Sequence, residues 1–253
     1  MAKAPRQSLR PLRGLTRGAG LAAALLVATP LAALGQTTIT SARFDAPTTR
    51  YAHGVLGDDV EYGALILRTT EADGQHNSVT LRLPQSRVFE DLAPRLIDLD
   101  GDNRPEVVVV EADSQLGARL SVYGPQGLIA ATPHIGQRNR WLAPIGAADF
   151  DGDGHIEIGY IDRPHLAKTL RLWRFQSGTL TEIASQTGLT NHKIGWDFIA
   201  GGVKHCDGTS EMITASADWS RVMATHFDGE HLTSREVGPY QGPQSLTDAL
   251  SCP

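Results

Sequence analysis

One nonapeptide and its near-copy constrain this chain more than any other feature. Residues 98–106 read D-L-D-G-D-N-R-P-E, and residues 149–157 read D-F-D-G-D-G-H-I-E. Both place carboxylates at positions one, three, five and nine, so alternate residues of a tight loop converge on one centre. Four like charges within nine residues repel unless a cation neutralises them. A hard cation such as calcium takes six to eight oxygens. Asp98, Asp100, Asp102 and Glu106, with the position-seven carbonyl of Arg104 and a water, supply that number. So do Asp149, Asp151, Asp153 and Glu157 with the carbonyl of His155. Position six calls for a left-handed backbone. Gly154 adopts it freely, and Asn103 is the next most tolerant type.

The loops are not EF-hands, which require a bidentate glutamate at position twelve, where this chain has Val109 and Tyr160. The segments that follow, V-V-V-V at 107–110 and I-E-I-G-Y-I at 156–161, are β-branched or aromatic and read as buried strands. Strand, carboxylate loop and strand together make a metal-pinned β-hairpin. The stretches LIDLDGDNRPEVVVV and AADFDGDGHIEIGYI resemble the FG-GAP or VCBS repeat, the blade unit of integrin-type β-propellers. That resemblance implies an all-β propeller with structural calcium, Ca2+, at both loops.

Residues 1–35 read as a secretory signal peptide. Lys3, Arg6, Arg10, Arg13 and Arg17 precede an apolar run at 21–28, and Ala33-Leu34-Gly35 forms a small-residue cleavage site. The run is short for a bilayer span of about 20 residues, so no membrane span is expected after cleavage, and a periplasmic or secreted location follows. The whole chain carries 23 basic and 28 acidic residues, net −5. Without the five leader cations the remainder stands at 18 against 28, net −10. Such an acidic protein is a poor nucleic-acid partner, because that binding is driven by phosphate neutralisation. Cys206 and Cys252 are the only cysteines. In an oxidising compartment a disulfide between them is expected, with two thiols as the alternative.

Aligning on the ninth-position glutamate gives Glu61, Glu106, Glu157 and Glu211, spaced by 45, 51 and 54 residues. A period near 50 fits one propeller blade. The repeats cover approximately 49–86, 87–137, 138–191 and 192–237, within one domain over 36–253, followed by an irregular tail, 238–253. Four blades are expected, with five blades or a partial propeller as alternatives. The first repeat's loop, G-D-D-V-E, is too short for a full carboxylate set. In the fourth, Val203 and His205 replace the first two aspartates, so neither loop is assigned metal. The first repeat also lacks a fourth strand, and the segment 37–44 is expected to complete its sheet edge.

Arg50, His53, Arg87, Arg138, Arg140, His192 and Lys193 lie 8 to 19 residues before an aligned glutamate. Equivalent positions gather around a propeller axis, so these cations are candidates for an anionic ligand; solvated loop charges are the competing account. The chain contains no H-E-x-x-H, C-x-x-C, G-x-S-x-G or glycine-rich phosphate loop. Trp141, Trp173, Trp196 and Trp219 read as core or blade packing rather than as a sugar platform. The favoured function is a non-catalytic binding or scaffold protein of the cell envelope, with an unidentified protein or an anionic ligand as partner. The alternative is a hydrolase or lyase that uses the axial funnel on an anionic substrate.

Overall fold

The computed structural model describes residues 1–2 and 37–252. The strands lie in the unit Gly35–Pro253. Apart from its first two positions, the signal peptide read over 1–35 lies outside the described residues. Among the described residues no helix is long and apolar enough to cross a membrane.

The fold is all-β and every strand pairing is antiparallel. The first group of strands is β1 (Thr38–Thr48), β2 (Glu61–Thr70) and β3 (His76–Arg82); the second is β4 (Arg87–Phe89), β5 (Arg95–Ile97), β6 (Glu106–Asp113), β7 (Gly117–Gly124) and β8 (Gly127–Ala131). A third comprises β9 (Leu142–Ala148), β10 (Ile156–Asp162), β11 (Thr169–Gln176) and β12 (Thr179–Thr187); the last comprises β13 (Leu189–Thr190), β14 (Gly202–Cys206), β15 (Thr209–Ser216), β16 (Arg221–Phe227) and β17 (Leu232–Pro239). The third and fourth groups form separate sheets. The first two share one eight-stranded sheet rather than standing apart, as four independent blades would. The link is a single pair, Tyr62 with Phe89. Strand β3 covers β2 only from Ala64 onward, which leaves the Tyr62 end of that edge for β4.

The N-terminal strand does complete the first sheet. β1 runs along β2 from Thr38 opposite Thr70 to Thr48 opposite Glu61. The four aligned glutamates all fall at or within three residues of the start of the strand central to their group, β2, β6, β10 and β15. These strands carry continuous apolar runs because both of their faces are covered. Val107 and Val109 pack toward Leu65, Leu67 and Phe89 of the first group. Val108 and Val110 pack the other way, against Trp141, Ile158 and Tyr160 of the third. Ile161, Leu170 and Leu172 of the third group then meet Met212 and Phe227 of the fourth. Gly159 leaves room for this contact, since a Cβ there would lie 2.8 Å from Met212 Sδ.

The tail is not wholly irregular. Pro243–Asp248 forms a short helix, α1, with proline in its first turn, where the fixed φ is pre-organised and the missing N–H has no cost. Leu246 anchors it, fully buried with Ala200, Ile213 and Ala224. A disulfide between Cys206 and Cys252 ties the end of the chain to β14.

Candidate functional site

The two acidic loops close in the same way. Asp98 accepts backbone N–H groups from Gly101 (2.9 Å) and Asn103 (2.9 Å), and Asp149 accepts them from Gly152 (2.7 Å) and Gly154 (2.9 Å). Glu106 accepts the Leu99 N–H and Glu157 the Phe150 N–H, each at 3.0 Å. Position six is left-handed in both, with φ of 63° at Asn103 and 88° at Gly154. Position four is left-handed as well, at Gly101 and Gly152, a requirement that the reading of position six alone misses. One carboxylate oxygen from each of Asp98, Asp100 and Glu106 lies within 4.8 Å of the others, and Asp149, Asp151 and Glu157 form the equivalent group. Each group can hold a metal ion. Burial raises the Glu106 carboxyl above its ordinary value, and the Asp100 and Asp102 charges add to the rise. A cation at the centre removes that penalty, so the donor set, all hard oxygens, fits calcium.

Position five departs from expectation. Asp102 and Asp153 stand outside the two groups. Asp102 is held by the Arg104 guanidinium, which lowers its pKa. Asp153 pairs with Arg174 at 2.8 Å. Arg174 lies directly opposite Glu157 across the hairpin and also reaches Glu157 at 2.8 Å and Asp151 at 2.7 Å. The second loop therefore contains its own cation. The first has no such arm, because Val107 faces Tyr123 and the next pair along the hairpin is filled by Gly124. The side chains of Arg104 and His155 are turned to Asp102 and Gln176.

The cations proposed from the repeat entries separate into four places. Arg50 donates to the Arg87 carbonyl at 3.1 Å from Nε, and Arg87 lies 3.7 Å from Glu111 and 3.6 Å from Asp113. Lys193 sits over the rings of Trp219 (4.6 Å), Tyr240 (5.4 Å) and Trp196 (5.5 Å). Arg138 is exposed. Only His53, Arg140 and His192 approach a common centre. His53 Nδ1 pairs with Glu90, which is fully buried and whose second oxygen has no partner among the described residues. Burial pushes the Glu90 carboxyl up, and the His53 hydrogen bond opposes that rise. Trp141 Nε1 donates to the Glu90 carbonyl at 2.8 Å, and its ring meets His192 edge-on at 5.0 Å. His192 in turn bonds His165 at 3.0 Å. His53, Asn139, Arg140, Trp141, Arg163 and His165 line a small, half-open depression of about 30 Å³. The loops of the first and last groups touch beside it, where Gly195 N donates to Val55 O at 3.4 Å.

Residues 98–160 match the FG-GAP-like repeat. The chain carries an FG-GAP-like repeat. The match runs from the first ligand of the first loop into β10, and so spans both acidic loops. No curated protein matches the sequence. Among solved structures, the crystal structure of the exotype rhamnogalacturonan lyase YesX is similar at 14% identity and a TM-score of 0.44, over 81% of this chain and 48% of that one. The Bacillus licheniformis rhamnogalacturonan lyase PL11 is similar at 11% identity and a TM-score of 0.41, over 83% and 52%. The chain spans about half the length of these two structures.

Around the FG-GAP loops, sequence reasoning missed three residues. Arg174 is legible only once the register of β10 and β11 is known. Glu90 lies 16 residues before Glu106, as Trp141 lies before Glu157, and the shared offset marks equivalent places in two repeats. His165 belongs to a turn between strands, and no spacing rule brings it to the repeat entries. Trp141 and Trp173 are buried as expected, whereas Trp196 and Trp219 are half-buried.

Proposed function

We propose that this protein is an exported, calcium-stapled β-propeller of FG-GAP type that acts as a binding or scaffold protein of the cell envelope. The two matching carboxylate groups carry the reading. Each sits on a strand–loop–strand hairpin and gathers three carboxylates within 4.8 Å, a protein oxygen set that suits a structural ion rather than a catalytic one. Four blades are supported by the serial packing of the groups and by the Gly195–Val55 contact between the last and the first. Export is supported by the disulfide. The thermal melt of the protein in calcium, in chelator, and as Asp100→Ala with Asp151→Ala in calcium tests the staple. A large fall in chelator, matched by the double variant, is expected because an ion bound only to the folded state stabilises it by mass action. A melt indifferent to both overturns it.

The His53–Glu90 pair favours a second reading, an enzyme acting on an anionic substrate at the central depression. An acid and a base in hydrogen-bond contact beside an open cavity are the minimum for proton transfer.

A further inference from the structure

We propose that the central depression binds a small carboxylate that carries a neighbouring hydroxyl, with Arg140 receiving the carboxylate and His165 Nδ1 accepting the hydroxyl proton. This gives a ligand class to the site described above, and rests on the binding reading of the protein.

The tautomers follow from the hydrogen bonds. His192 Nε2 faces the Trp196 carbonyl at 3.0 Å. A carbonyl only accepts, so His192 Nε2 carries the proton. Burial lowers the His192 pKa, the ring is neutral, and its Nδ1 is bare. That nitrogen must accept from His165 Nε2, 3.0 Å away. His165 is held down to about 4, chiefly by burial. It too is neutral near pH 7, its remaining ring nitrogen, Nδ1, is without a hydrogen-bond partner among the described residues, and the residue lines the depression.

Arg140 supplies the complementary half. Among the described residues it forms no ion pair and donates only to the carbonyl of its neighbour Asn139, at 3.0 Å. Arg163, on the same wall, is already shared with Asp162 at 2.7 and 2.9 Å. An uncommitted guanidinium and a bare imidazole nitrogen, on residues that line one depression, discriminate among anions. A fully ionised oxyanion satisfies the first and repels the lone pair of the second. A hydroxy carboxylate satisfies both.

Glycolate, acetate and ethylene glycol are the probes, titrated into the calcium-loaded protein with 15N-histidine spectra as the readout. Glycolate is expected to bind about tenfold more tightly than acetate, the upper end of what one hydrogen bond contributes, and ethylene glycol not at all. His165→Phe should equalise glycolate and acetate, while Arg140→Gln should remove both. Free His165 should show an unprotonated Nδ1 at neutral pH. Equal binding of glycolate and acetate to the unmodified protein, unchanged binding in Arg140→Gln, or a charged His165 overturns the assignment. So does a protein that binds none of the probes while still melting early in chelator, an outcome that leaves the calcium staple standing.

Discussion

Glu61 provides the sharpest test of how the repeats handle a buried charge. It occupies the position that is a candidate metal ligand in the second and third repeats, yet the carboxylates of Asp58, Glu90 and Asp91 raise its pKa in addition to burial, which is the larger cause. The result is a carboxyl pushed up from 4.5 to about 9. A raised acid favours the folded state fully below its unfolded pKa and loses that contribution as pH climbs to its folded pKa. Each unit of separation is worth about 1.4 kcal/mol. Between pH 5 and 7.5 the native protein should therefore lose roughly 3 kcal/mol through this residue alone. Glu61→Gln keeps the shape and removes the titration. Urea unfolding, followed by tryptophan fluorescence in saturating calcium, should give similar stabilities at pH 5. By pH 7.5 the variant should be ahead by roughly 3 kcal/mol, or roughly 6–12 °C in melting temperature for a domain of this size. Effects of pH on the two acidic loops are common to both proteins and cancel in the difference. Parallel stability curves for the two proteins from pH 5 to 8 would refute the argument.

Removing the disulfide with Cys206→Ser and Cys252→Ser frees a loop whose ends are 46 residues apart, which chain entropy puts at about 4 kcal/mol; urea unfolding measures it. Gly201→Ala places a Cβ 2.1 Å from the Ile213 carbonyl oxygen at a φ of 80°, and a loss of roughly 3 kcal/mol or more is expected in the same assay. Arg174→Ala strips the buried Glu157 of its ion pair and should destabilise the protein by about 3–5 kcal/mol in chelator. Calcium should recover most of that loss, because the ion replaces the guanidinium; equal losses with and without calcium would show that the two cations do not compete.

Much of the scaffold was readable from local chemistry. The doubled nonapeptide encodes its own turn, since Asp98 and Asp149 fold the loop by accepting its N–H groups, and the left-handed backbone at Asn103 and Gly154 follows from residue type. The valine run at 107–110 announces a strand buried on both faces, and the Cys206–Cys252 disulfide matches the pairing expected of the only two cysteines. The remainder depends on register and on distant chain. Spacing names Asp153 as a metal ligand, whereas its Arg174 partner arrives from the next strand and is visible only in the register. The sheet of the first two repeats merges at a single residue pair, Tyr62 with Phe89, which no periodicity marks. The helix at Pro243–Asp248 forms because Leu246 finds a buried site beside Ile213, a tertiary cause invisible in a tail rich in proline and glycine. The cations before each repeat were grouped by offset, yet side-chain reach divides them. Lys193 turns to Trp219, and Arg87 to Glu111 and Asp113, while His53 and Arg140 remain at the centre.

The ninth-position glutamate connects these observations. In every repeat it begins a strand that is covered on both faces, so its charge enters low-dielectric surroundings and needs compensation. The repeats meet that need in different ways. Glu106 has a backbone N–H and two neighbouring aspartates that call for an ion. Glu157 has the same loop and, in addition, the Arg174 guanidinium. Glu211 has lost the aspartates and takes Arg235 at 2.6 Å from the outer strand, while the Cys206–Cys252 bridge fixes the loop beside it. Glu61 has no cation in contact among the described residues, and burial pushes its carboxyl up instead. The series orders the repeats by their dependence on metal. The second should be the most sensitive to a chelator, the third less so because Arg174 remains, and the first and fourth indifferent. Hydrogen exchange measured with and without calcium reads that order directly, and protection lost first from β15, or equally from all four central strands, contradicts it.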